Sequence, residues 1–176
     1  LILFVKTSAT TPRVNGGGIE YLWPVYPGGI RLRSYFSFSN NFFNCAVDTN
    51  EEPIVMHTKD MGLAKLPPNN FYMNVTSLKV YRVDYSSVTN GGKRATLYGK
   101  ARSVTRVGPV NKPMMVADEV VPFMAVVSDL GFGGKNDSSW LTLFFNEKDS
   151  PKQLAIFGHD AKFGGEIVSG DISINY

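Results

Sequence analysis

The stretch DLGFGGKNDSSW, residues 129–140, holds the residue types that could bind an ion or a phosphate. A phosphate loop needs a hydroxyl residue after its lysine and a helix beyond it, but Asn136 follows Lys135 and a strand pattern comes next. The oxygens of Asp129, Asn136 and Asp137 are of the kind that calcium selects, although the spacing is not that of an EF-hand. The stretch therefore predicts a loop between strands whose Asp and Asn side chains cap the backbone, with a calcium site as the alternative.

The other reactive groups of the sequence are one thiol and two imidazoles. Cys45 with His57 or His159 could supply a nucleophile and a base, but neither histidine has a local catalytic signature. Cys45 is predicted to be a small buried apolar residue, and His159 to lie in a turn. The carboxylate pairs 51–52 and 118–119 precede a turn and a strand, which is typical of solvated side chains. We therefore predict no catalytic residue, and a secreted hydrolase is the least favoured interpretation.

Exposed aromatic and basic side chains could instead bind a ligand. Trp23 and Tyr26 lie in a loop punctuated by prolines, where binding residues often occur. Aromatic rings can stack on sugars, and arginines on an outward face attract anionic polymers. The predicted ligand-binding residues are Trp23, Tyr26, Arg31 and Arg33, and Lys100 and Arg102 are further cations that a polysaccharide or another anionic surface could contact.

Composition and short motifs bear on where the protein acts. Asn74-Val75-Thr76 and Asn136-Asp137-Ser138 fit the N-glycosylation pattern, so we predict glycans on Asn74 and Asn136 and a secreted, extracellular location. The chain has one cysteine and therefore no internal disulfide. Its net charge of +3 is spread without a run of like charges, which argues against nucleic acid as a partner. The longest apolar runs have five residues, too short to span a membrane.

Alternation of apolar and polar residues is the main structural signal, and helical periodicity is almost absent. It is clear at 31–38, 71–76, 95–101 and 171–176, while 120–127 and 140–145 are apolar on both faces. In 78–83 the apolar face changes midway, which predicts a bulge or a strand passing between sheets. Only 59–66 has a helical character. Because glycine-rich turns separate the strands, we predict one all-β domain over 1–176, an antiparallel β-sandwich of jelly-roll or Greek-key type.

Several of these stretches, taken in order, are similar to one family. VNGGGIEYLWPVYPGGIRLRSYFSFS, TSLKVYRVDY, ATLYGKARSV, FMAVVSDLGFGGKNDSSWLTLFF and GGEIVSGDISI resemble the glycine turns and strands of the post-COAP domain, which follows choice-of-anchor modules in bacterial surface and secreted proteins. The insertion VTRVGPVNKPMMVADE departs from that pattern. The resemblance implies an extracytoplasmic β-sandwich with a structural or adhesive role, and it carries over no catalytic residue.

These features together favour a noncatalytic extracellular scaffold or surface-interaction protein with no required cofactor. Its expected partners are other copies of itself, which could assemble through an edge strand or an aromatic patch into a matrix or biomineral-type material, or another extracellular protein. The alternative is a lectin-like module that binds carbohydrate, with calcium held by the loop of residues 129–137.

Overall fold

The fold is a closed barrel of eight antiparallel strands that follow one another in chain order. The computed structural model describes residues 11–21, 33–48, 69–109, 115–131 and 136–176. The strands are β1 (Arg13–Tyr21), β2 (Arg33–Ser39), β3 (Phe42–Asp48), β4 (Asn69–Ser87), β5 (Lys93–Pro109), β6 (Met115–Asp129), β7 (Ser138–Leu143) and β8 (Ala161–Asn175). A single 3₁₀ turn (Thr89–Gly91) joins β4 to β5, and a short helix, α1 (Pro151–Phe157), precedes β8.

The prediction of a β-sandwich is wrong, whereas the all-β, antiparallel character is confirmed. Strand β1 pairs with β8 from Arg13 opposite Asn175 to Glu20 opposite Ile167, and this pairing closes one continuous sheet into a barrel. The strand order is up-and-down and contains no Greek-key crossover among the described strands. Alternation along a strand specifies one buried face, and the inner wall of a barrel satisfies that pattern as well as a sandwich does.

Apolar side chains from every strand fill the inside of the barrel. The rings of Phe38, Phe43 and Phe123 form a continuous stack, with centroids 6.5 Å and 5.8 Å apart. The alternating face predicted for β5 is confirmed, because Ala95, Leu97, Gly99 and Ala101 are all buried. At Gly99 a Cβ would stand 2.1 Å from the Lys79 carbonyl oxygen, so only glycine lets β4 and β5 approach this closely.

The bulge predicted in β4 is also confirmed. The register against β5 shifts between Ser77 and Lys79 and again between Val80 and Arg82. The two residues skipped, Leu78 and Tyr81, are 59% and 55% exposed. Each bulge inserts one extra residue, which explains why the apolar pattern changes face in this part of the sequence.

Helix α1 was not predicted from the sequence. The stretch 59–66, which has helical character in the sequence, lies outside the described residues. Helix α1 begins at Pro151, directly after Ser150, and is capped by Gly158, whose φ of 77° is left-handed. Gln153 Nε2 donates to the Ser103 carbonyl oxygen at 2.9 Å, and Thr105 donates to Gln153 Oε1 at 2.9 Å. These bonds hold α1 over the barrel end where β5 finishes. No helix in the described ranges is long and apolar enough to cross a membrane.

Candidate functional site

The most basic element of the barrel is β5, which carries five lysines and arginines and no acidic residue. Because its small and apolar residues point inward, the intervening residues point to solvent. We call this outward surface the β5 face, made of Arg94, Thr96, Tyr98, Lys100, Arg102, Val104 and Arg106. The β5 face therefore displays cations along the whole length of a rigid strand.

Tyrosines lie against two of the cations on this side of the barrel. The Arg82 guanidinium of β4 sits 4.8 Å from the centroid of the Tyr98 ring, and that of Arg106 sits 5.8 Å from the Tyr72 ring. In both cases the two residues are direct cross-strand neighbours between β4 and β5. Such a contact fixes the position of a guanidinium without using its N–H groups, so those of Arg106 are able to bind an anion.

Two ion pairs neutralise part of the positive charge. Arg102 Nε donates to Asp118 Oδ1 at 2.7 Å, and the Arg82 guanidinium pairs with Asp84. The hydrogen bonds from the guanidiniums lower the pKa of Asp118 and of Asp84. Neither of these ion pairs includes Arg94, Lys100 or Arg106, so the exposed charges of these three residues of the β5 face are able to attract a ligand.

A second notable region lies inside the barrel, where β1 places the carboxyl group of Glu20. This residue is 2% exposed, and burial raises its pKa to about 8. Ser34, Ser139 and the backbone of Gly165 lie beside the carboxyl and offset part of that shift. Within the described part of the chain, Glu20 Oε2 and Ser139 Oγ have no hydrogen-bond partner. Glu20 is therefore a neutral acid at neutral pH, in surroundings that do not satisfy its charge.

Cys45 belongs to the same interior region. Its Sγ lies 3.1 Å from Ser34 Oγ, and burial followed by the nearby Glu20 carboxyl raises the pKa of the thiol to about 12. A thiol with such a pKa is protonated and unreactive. His159 lies just after α1, where its Nδ1 contacts the Asp160 carbonyl oxygen, and His57 lies outside the described residues. The described contacts thus bring no base to Cys45.

The loop between β6 and β7 uses its acidic side chains to bind backbone. Asp137 is fully buried and accepts from Leu130 N at 2.8 Å and from Ile172 N at 3.2 Å, one bond to each oxygen. Burial is the main cause that raises its pKa. Asp129 Oδ2 accepts from Ile174 N at 3.1 Å, and Asn136 has a positive φ of 69°. These contacts match the backbone-capping interpretation of the loop, and calcium binding stays a prediction. The described residues contain no group of three or more histidine, cysteine or acidic side chains placed to hold a metal.

The remaining predicted residues fall in different places. Trp23, Tyr26 and Arg31 lie outside the described residues, and Arg33 is the first residue of β2. Asn74 lies half-buried on the outer side of β4, where its Nδ2 donates to the Tyr72 hydroxyl at 3.1 Å. Asn136 is exposed. Glycosylation of Asn74 and Asn136 and ligand binding by the four aromatic and basic residues stay predictions.

Two features of the site were missed from the sequence. Glu20 follows Val14 by six residues, so alternation puts it on the buried face of β1, and this signal was readable. The pairing of Arg106 with Tyr72 was not readable, because it depends on the register between two strands. No family model matches this chain, and neither a curated protein nor a solved structure was found to match it. The resemblance to the post-COAP domain therefore stays a prediction.

Proposed function

We propose that the chain is a noncatalytic, extracellular surface-interaction domain that binds an acidic polysaccharide through the β5 face. The observation that carries this proposal is the placement of five cations and no acid on one strand, four of them on its exposed side. The buried thiol and the neutral buried acid offer no activated nucleophile, which supports binding over catalysis.

The geometry of the β5 face suits a linear polyanion. At about 3.3 Å per residue, Lys100 and Arg106 lie roughly 20 Å apart along the strand, so a chain with repeated acidic groups can reach both. Tyr98 lies two residues before Lys100 on the same face and Tyr72 lies opposite Arg106, so a sugar can contact an aromatic ring beside each of these cations. Neutral sugars lack acidic groups and therefore cannot pair with these cations.

The test is binding to immobilised polygalacturonate and dextran sulfate, with neutral dextran as the uncharged comparison. We expect the double variant Lys100→Ala/Arg106→Ala to lose about tenfold in affinity at low salt, and the wild-type affinity to fall as salt approaches roughly 0.1 M. The matched control is Lys148→Ala/Lys152→Ala, which removes the same charge from exposed positions near α1. Equal losses in both double variants would contradict a specific role for the β5 face.

The same experiment separates the lectin-like alternative. Binding to neutral dextran that disappears when a chelator is added would favour a calcium-assisted carbohydrate site and would overturn the polyanion proposal. Binding to neither polymer would also overturn it.

Self-association is a second candidate function, favoured by one edge of β4. Residues 78–87 pair with β5, while β3 pairs only with 72–76, so no described strand covers the other edge of that stretch. The exposed Leu78 and Tyr81 could bury apolar surface between two copies. The bulges and Lys79 oppose such pairing. Light scattering of the wild type and of Leu78→Ser/Tyr81→Ser tests this candidate. A wild-type dimer that is absent in the double variant would support self-association.

A further inference from the structure

The pair of strands that closes the barrel, β1 with β8, is held together mainly by backbone. Gly18 lies opposite Gly170, and a Cβ on Gly18 would stand 2.1 Å from the Ser169 carbonyl oxygen. Gly170 has a φ of 119°, which side chains rarely tolerate. Residues 16–18 of β1 are all glycines, so this part of the seam lacks the cross-strand side-chain contacts that stabilise other strand pairs, whereas Val14 and Ile174 are opposite each other and buried.

Glu20 lies where the regular pairing of the seam is interrupted. Ile19 is opposite Ser169 and Glu20 is opposite Ile167, so Val168 is bulged out and 50% exposed. The side chain of Glu20 turns inward at this bulge and reaches the interior between β2, β3, β7 and β8. The glycine-lined part of the seam therefore ends close to a buried carboxyl group.

Each of the two strands has a further attachment away from the seam. On β1, Val14 N donates to Asn40 Oδ1 at 2.6 Å, in the turn between β2 and β3. Asp137 binds β8 twice, through Oδ2 to Ile172 N and through its carbonyl oxygen to Ile167 N at 2.9 Å. Asp129 adds the bond to Ile174 N. Separation at the seam would therefore leave β1 attached to β2 and Asn40, and β8 attached to the β6–β7 loop.

We propose that Glu20 is a pH-sensitive latch of the β1–β8 seam, closed while its carboxyl group is neutral and released when that group ionises. Among the described residues, the groups that face it are the Ser34 hydroxyl from β2, the Cys45 thiol from β3, the Ser139 hydroxyl from β7 and the Gly165 backbone from β8. None of these is a cation. An ionised Glu20 would be a buried charge with no counter-ion among these groups, and leaving the interior would relieve that cost.

The direction of the pH effect follows from the two protonation states. The pKa of Glu20 is about 8 in the closed barrel and 4.5 in water, so between these values the closed barrel holds a proton that the open form releases. The seam is most protected below the lower value. Its opening constant rises by up to about tenfold per pH unit in this window and levels off above the upper value.

The experiment is hydrogen exchange of backbone amides from about pH 5 to pH 9, corrected for intrinsic exchange rates. In the wild type we expect the opening constant measured at the amides of residues 14–20 to rise with pH in the window given above. The amides of β5 should stay protected from exchange in the same samples. Glu20→Gln removes the titrating group, and its seam should show no such rise. Glu166→Gln, an exposed change on β8, is the matched control and should behave as the wild type does.

Two results would overturn the latch: a wild-type seam whose opening does not change with pH, or a Glu20→Gln seam that keeps the wild-type slope. If Glu20→Gln does not fold, carboxyl carbon NMR of the wild type takes its place. There the midpoint of the Glu20 titration should lie at the pH where seam opening levels off, and a Glu20 that titrates near its ordinary 4.5 would reject the proposal. Loss of polyanion binding would leave this result unaffected, because the latch and the β5 face share no residue.

Discussion

The β4–β5 pair and the β1–β8 seam are both antiparallel, but they are stabilised in different ways. The β4–β5 pair runs from Asn69 opposite Pro109 to Ser87 opposite Lys93, buries side chains on one face and exposes charges on the other. The seam is shorter, joins glycine to glycine and buries an acid at its end. One barrel thus combines a long pair packed by side chains, which we expect to be its rigid side, with a seam that we propose can open.

The difference teaches where charge matters for folding and where it matters for binding. The cations of β5 are in water, so they contribute little to stability and remain able to meet a ligand. Glu20 is inside, where its ionisation would cost far more than any surface pair contributes. The same alternation of residues therefore gives binding groups on the outer wall and a stability-linked group on the inner wall.

Phe123 on β6 tests how far the rigid side depends on its aromatic core. Its ring lies against Phe43 and next to Gly99, so Phe123→Ala leaves a cavity where β5 and β6 meet. We expect a loss of about 3–5 kcal/mol in the free energy of unfolding, measured by chemical denaturation. The conservative Phe123→Leu should lose much less. A loss below about 1 kcal/mol for Phe123→Ala would show that this side is not tightly packed.

Matched glycine substitutions compare the two sides directly. A Cβ at Gly99 or at Gly18 would stand 2.1 Å from a carbonyl oxygen, and at Gly99 it would also stand 2.6 Å from the Phe123 ring. Because Gly99 faces this core ring and the seam is the pair that we propose can open, we expect Gly99→Ala to cost about 3 kcal/mol and Gly18→Ala about 1 kcal/mol in the free energy of unfolding. Equal losses would remove the distinction between the two sides.

Asp137→Asn tests the attachment that keeps β8 in place. Asparagine has one acceptor oxygen where two backbone N–H groups, those of Leu130 and Ile172, need one each. We expect a loss of about 1–3 kcal/mol in unfolding free energy and faster amide exchange in β8. Asp171→Asn, on an exposed residue of the same strand, is the control. A variant with the stability of the wild type would mean that the second bond contributes nothing.

Labelling of Cys45 sharpens the comparison, because the thiol is reached only when the barrel opens. It is 2% exposed and its pKa is about 12, so at about pH 8 we expect alkylation at least about a thousandfold slower than in the denatured chain. Glu20→Gln should slow it further, since the latch then stays closed. Rapid labelling of the native protein, followed by mass spectrometry, would contradict the described burial.

The smallest effect is expected on the basic side of the barrel. Arg102 and Asp118 form an exposed ion pair, so Arg102→Ala should leave the melting temperature unchanged within error. Its affinity for dextran sulfate should nevertheless fall, because a cation leaves the β5 face. Thr96→Ala on the same face is the uncharged control. A clear drop in melting temperature would show that this surface has a structural role as well.

Local features were readable from the sequence, and global ones were not. The inward residues of β5 and the bulges of β4 follow from alternation within one strand. Closure depends on whether Arg13 meets Asn175 across the whole chain, and no local pattern encodes that meeting. Helix α1 was overlooked even though Ser150, Pro151 and Gly158 mark its ends, because its seven residues are too few to show helical periodicity.

For the candidate site, the sequence indicated that Lys100 and Arg102 point outward, and the structure places both on the exposed side of β5. It did not indicate the tyrosines that accompany the arginines, because Tyr72 and Arg106 are 34 positions apart and meet only through strand register. Glu20 was not singled out either, since the cost of burying it becomes evident only when the barrel is known to be closed.

Closure by the first and last strands has a consequence for how the chain folds. Each of the other strand pairs joins sequence neighbours and can form early, as hairpins do, whereas β1 must wait for β8, about 150 residues later. During synthesis the edge of β1 therefore stays unprotected until the end of the domain has emerged. We expect this final pairing of β1 with β8 to limit the folding rate. Before it forms, the nascent chain should be most prone to aggregate.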